Sequence, residues 1–109
     1  MAKFEIKKDK RGEFRFNLKA GNGQTILVSE GYKAKTSCLN GIESVRKNSQ
    51  DDSKFERLVA KNGKPYFNLK ATNGQVIGTS EMYNSNSGME NGIASVNKNA
   101  PIAEVIELD

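Results

Sequence analysis

The side chain that most often carries protons near neutral pH is missing here: none of the 109 residues is histidine. Ser-His-Asp and Cys-His catalysis both need an imidazole, so neither is available. The commonest metal ligand is absent for the same reason. A single cysteine, Cys38, has no partner for an internal disulfide and too few companions for a thiolate zinc cage. Paired carboxylates do acid–base work without histidine. The only ones that recur at equivalent positions are Glu5 with Glu56 and Glu30 with Glu81, and nothing around them signals burial. We therefore expect no enzyme activity, no cofactor and no bound metal.

What remains is the chemistry of contact, and an internal repeat defines it. Shifted by 51 residues, the sequence matches itself without a gap, with 23 identities across positions 4–48 and 55–99. Phe16-Asn17-Leu18-Lys19-Ala20 recurs as Phe67-Asn68-Leu69-Lys70-Ala71, Asn22-Gly23-Gln24 as Asn73-Gly74-Gln75, and Asn40-Gly41-Ile42 as Asn91-Gly92-Ile93. We read residues 1–51 as one repeat and 52–109 as the second, sharing one globular domain. The same offset sets Ile106-Glu107 under Phe55-Glu56, which predicts a third copy of the opening strand over 103–108.

Each copy carries the local signals of three strands and a helix. From Glu13 to Ala20, Phe14, Phe16, Leu18 and Ala20 alternate with Arg15, Asn17 and Lys19, the period of a half-buried strand. Asn22-Gly23 and Asn73-Gly74 predict two-residue hairpin turns, followed by short strands over Thr25–Ser29 and Val76–Ser80. Pro65 cannot donate to a ladder and is expected to start its strand or face an edge. Cys38, Ile42 and Val45, like Met89, Ile93 and Val96, recur at helical spacing, predicting a helix of about three turns. Thr36 or Ser37, and Ser87 in the second copy, are candidate N-caps. Gly41 and Gly92 each cost about 1 kcal/mol inside a helix, so their recurrence suggests a close approach to the sheet. The fold class that follows is α+β: tandem β-β-β-α repeats with pseudo-twofold symmetry, an antiparallel sheet with both helices on one face, and a closing C-terminal strand.

On a helical wheel at about 100° per residue, Cys38, Ile42 and Val45 form the core face. One flank, Leu39, Glu43 and Arg46, is replaced wholesale by Glu90, Ala94 and Asn97. The opposite flank, Asn40, Ser44 and Lys47, is identical to Asn91, Ser95 and Lys98. These six residues are the candidate surface for a small ligand or a protein partner. The competing reading is that the amides and hydroxyls bond neighbouring backbone and fix the packing, which the demand for pairing of buried polar groups favours.

A second surface is the solvent face of the sheet, where Arg15, Lys19, Tyr66 and Lys70 could take single-stranded nucleic acid by backbone charge and stacking. It shows one aromatic, Tyr66, where an RNA-binding sheet normally shows several. The net charge of +4 is unevenly divided: residues 1–51 hold 11 basic and 6 acidic groups, and the remainder 6 and 7. The opening MAKFEIKKDK has no signal-peptide run, and no apolar stretch approaches the roughly 18 residues of a membrane span. With one unbridged thiol, we expect a soluble, cytoplasmic monomer.

The repeated FNLKA, NGQ and SE-x-Y segments, with the NGI-x-SV-x-KN helix, resemble the YegP-like family of small uncharacterised bacterial proteins, over essentially the whole chain. That resemblance implies tandem repeats on one antiparallel sheet, with the strand after each helix exchanged to the partner repeat. It also implies that single-repeat relatives dimerise to build the same body. It brings no catalytic or binding residues, so it implies nothing further about function.

Overall fold

In the computed structural model, which describes residues 1–108, the chain forms seven strands and two helices. The first repeat supplies β1 (Lys3–Lys8), β2 (Phe14–Lys19), β3 (Thr25–Val28) and α1 (Lys35–Asn48). The second supplies β4 (Phe55–Val59), β5 (Pro65–Lys70), β6 (Val76–Thr79) and α2 (Asn86–Asn99), and β7 (Glu104–Glu107) closes the chain. One sheet holds all seven strands in the order β4-β5-β6-β3-β2-β1-β7. The two repeats meet at its centre, where β3 and β6 pair antiparallel through Val28 and Thr79.

Period-two patterning puts Phe4, Ile6, Phe16, Leu18, Phe67 and Leu69 on the covered face, with Cys38, Ile42, Val45, Ile93 and Val96 of the helices completing the core. Phe4 meets Phe16 edge-on, and Phe55 meets Phe67 in the same way. Each helix packs on its own repeat and across the seam: α1 on β2, β5 and β6, α2 on β5 and β3. Neither repeat therefore has a complete core alone.

Four details differ from the sequence expectation. The sheet is mixed and not wholly antiparallel, because β7 runs parallel to β1. Being a copy of the opening strand, β7 would pair with β2, but β1 already fills that place. The hairpin loops hold three residues, not two: Gly23 N–H donates to Ala20 O and Ala20 N–H to Gln24 O, and Gly23 takes φ +87°. Asn22 stays at negative φ and its Oδ1 accepts from Gln24 N–H at 2.9 Å. The helices also start earlier, after Ala34 and Ser85, giving 14 residues each. Ser85 Oγ accepts from Gly88 N–H, whereas Ala34 has no capping side chain.

The repeated helix glycines receive a tyrosine rather than sheet backbone. Tyr32 and Tyr83 stack on Phe16 and Phe67, and their hydroxyls lie where a Cβ on Gly41 or Gly92 would project. At the seam, Leu27 is fully buried against its own counterpart, Gly78, where a Cβ would meet Leu27 Cδ2 at 2.6 Å. Two leucines could not share that space, so the pseudo-twofold is broken at its axis.

Candidate functional site

The identical helix flanks divide into two kinds of residue. Asn48 Nδ2 donates to Ser44 O and Oγ at 2.8 and 3.1 Å, and Asn99 does the same to Ser95 at 2.9 and 3.0 Å. These serines are engaged in closing the last helical turn. Asn40, Lys47, Asn91 and Lys98 are exposed, and among the described residues their side chains form no hydrogen bond or ion pair. Asn40 and Lys47 line one side of a groove of about 460 Å³, and Ala71, Thr72 and Asn73 of the second repeat's hairpin line the other.

The variable flank is more than a solvated surface. Arg46 Nη2 donates to Ala103 O at 2.8 Å, and Lys35 pairs with Glu107, so α1 grips β7 from its beginning to its end. Arg46 also lies over the Phe4 ring and pairs with Glu43. On α2 the same flank holds Glu90, Ala94 and Asn97, and no strand lies along it. The two flanks differ because their surroundings differ.

On the open sheet face the three predicted cations are matched to carboxylates. Arg15 pairs with Asp9 at 2.8 Å, Lys19 with Glu5 at 3.1 Å and Lys70 with Glu56 at 3.0 Å. Hydrogen bonds from Lys19 and Lys70 hold the Glu5 and Glu56 carboxyls below the usual range, and Arg15 does so for Asp9. Tyr66 stands half-buried opposite Leu58, well separated in the strand order from Arg15 and Lys19. The predicted nucleic-acid residues therefore share a face but offer little unmatched charge. Lys7, Lys8, Lys10 and Arg11, at the β1–β2 hairpin, form no ion pair among the described residues.

Cys38 is fully buried, and burial pushes its thiol up, away from the reactive thiolate. Burial does the same to the Tyr32 and Tyr83 phenols, with Glu30 and Glu81 adding to it. Glu30 and Glu81 are exposed on an open groove of about 440 Å³ across the seam, and Gln24 Nε2 donates to Glu81 at 3.3 Å. Among the described residues no group of three or more cysteines and carboxylates is placed to hold a metal ion. None of the helices of the described residues is long and apolar enough to cross a membrane.

Fold and surface together define a pseudo-twofold α+β tandem repeat. The model of a family described as a domain of unknown function (DUF1508) matches it twice, at residues 9–56 and 60–107, and the chain belongs to that family. Each match begins near the first hairpin turn of its repeat and runs past the helix into the next strand. A UPF0339 protein of Acinetobacter baylyi is 60% identical over 105 residues, covering 96% of this chain and 95% of the relative. The UPF0339 protein YegP of Escherichia coli is 55% identical over 96 residues, 88% of this chain and 87% of the relative. The solution NMR structure of YegP, a protein of unknown function, superposes with a TM-score of 0.93 at 51% identity, over 97% of this chain and 91% of that one. A UPF0339 protein of Shewanella oneidensis gives 0.93 at 48% identity, over 98% and 91%.

Proposed function

We propose that the protein is a small, non-enzymatic, cytoplasmic interaction module that acts as a monomer. Its contact surface is the repeated helix flank, read at Asn40 and Lys47 and again at Asn91 and Lys98. One observation carries this reading. On one helix face, Asn40 and Lys47 form no hydrogen bond or ion pair among the described residues, recur as Asn91 and Lys98 and share one groove, whereas the repeated Ser44 and Asn48 between and beside them bond each other. An amide and an ammonium two helical turns apart suit a carbonyl- or carboxylate-bearing partner. The lack of histidine in the sequence and the buried thiol support a role without chemistry of its own.

The test is native mass spectrometry of the protein purified gently from its own host at low salt. A co-purifying mass is expected, lost when Asn40, Lys47, Asn91 and Lys98 are all changed to alanine. The same mass retained by that variant would overturn the reading. A mass that is nucleic acid and dissociates steeply with salt would transfer the function to the basic first repeat.

A further inference from the structure

Asn-Gly occurs five times, at Asn22, Asn40, Asn62, Asn73 and Asn91. The pair is open to ring closure through the backbone, because glycine sets no side chain beside the attacking nitrogen. The fold divides the five into two environments. Asn22, Asn62 and Asn73 stand at exposed hairpin loops, and the glycines that follow them, at φ +87°, +85° and +85°, have open space where a Cβ would be. Asn40 and Asn91 lie inside α1 and α2, where Gly41 and Gly92 are buried under the Tyr32 and Tyr83 hydroxyls. The loop asparagines are also preset for reaction. Oδ1 of Asn22, Asn62 and Asn73 accepts from the N–H two residues on, at 2.9, 3.0 and 3.0 Å. That bond folds the side chain back over the glycine and draws electron density from Cγ. One hydrogen bond guards each loop nucleophile: the glycine N–H donates to Ala20, Ala60 or Ala71 O, each at 2.9 Å. At an exposed loop such a bond opens locally at little cost, whereas freeing the N–H of Gly41 or Gly92 breaks the middle of a packed helix.

We propose that Asn22, Asn62 and Asn73 are deamidation sites and that the helices keep Asn40 and Asn91 from reacting. Hydroxide takes the glycine N–H proton, and the nitrogen bonds to Cγ. The Cγ–Nδ2 bond breaks, and ammonia leaves with a proton from water, which regenerates hydroxide. Water then opens the succinimide at either carbonyl and leaves isoaspartate or aspartate, with no redox change. Each event adds one negative charge, so the net charge falls from +4 to +1 when all three sites have reacted. Isoaspartate also lengthens the main chain of a three-residue loop by one atom. At Asn73 the new carboxylate appears on the wall of the groove that Lys47 lines. The isoaspartyl product is a substrate for enzymes that methylate its carboxylate from S-adenosylmethionine. This modification does not depend on the helix flank's being a contact surface.

The test ages the full chain in mildly alkaline buffer and follows each site by peptide mapping with tandem mass spectrometry. Isoaspartate is counted separately, by enzymatic methylation from S-adenosylmethionine. A parallel sample in guanidinium chloride gives the reactivity of the same five sites without the fold. There all five are expected to convert at similar rates. In the folded chain the three loop sites should convert while Asn40 and Asn91 lag at least about tenfold behind. Three outcomes would overturn the proposal. The first is equal conversion of all five sites in the folded chain. The second is loop sites that stay intact while the denatured chain reacts. The third is a loop-to-helix contrast that persists unchanged in denaturant, which would assign it to neighbouring residues and not to the fold.

Discussion

Gly41 is where a single atom decides stability. A Cβ there would lie 2.5 Å from Tyr32 Oη and 2.9 Å from Cζ. Alanine gains about 1 kcal/mol of helix propensity, but overpacking typically costs about 1–3 kcal/mol. Gly41→Ala is therefore expected to lower stability by about 1 kcal/mol on balance. Adding Tyr32→Phe, which removes the crowded oxygen, should restore part of it. Urea unfolding of the two variants checks this, and a stabilised Gly41→Ala would show that the ring does not seat against the helix. The sequence signalled this contact only halfway. The glycine and the tyrosine both recur, nine positions apart, but nothing in a linear pattern says that one packs under the other.

Among the elements, strands and helices were legible because period two and period 3.6 each persist through both copies. Their ends were not. The Asn-Gly pair suggested the tightest hairpin, yet glycine takes the left-handed position of a three-residue loop and asparagine bonds backbone ahead of it. The closing strand was visible as a third copy, but its direction follows from β1 already holding the place beside β2, which is a tertiary fact. The β3–β6 seam offers a prediction at this scale. Gly78→Leu should destabilise by about 1–3 kcal/mol because Leu27 fills the space. The exchange Leu27→Gly with Gly78→Leu moves the same side chain across the pseudo-twofold and should recover more than half of that loss. Thermal unfolding would expose the error if the exchange proves as damaging as Gly78→Leu alone.

For the molecule as a whole, duplication made the architecture readable, since any signal seen twice at one offset reports a shared environment. The same logic is silent on the helix flank where the copies differ. The two differ in what they hold: Arg46 clasps β7, whereas Asn97 bonds Ser49 of the α1–β4 connection and Glu90 bonds Arg57 of β4. Symmetry needs six strands, and the seventh has a mechanical consequence. Since β1 and β7 are parallel neighbours, the chain's two ends leave the sheet on opposite sides. Tension applied between them loads the ladder in shear, so its bonds resist together instead of being peeled one at a time. Forced unfolding is set by that barrier and not by equilibrium stability. A molecule held at both ends should yield in one high-force rupture, and Leu108→Pro, which deletes the 2.7 Å donor to Ile6, should lower that force. An unchanged rupture force would place the resisting contact elsewhere; a lowered one would make the strand that symmetry does not require the clasp that holds the fold under load.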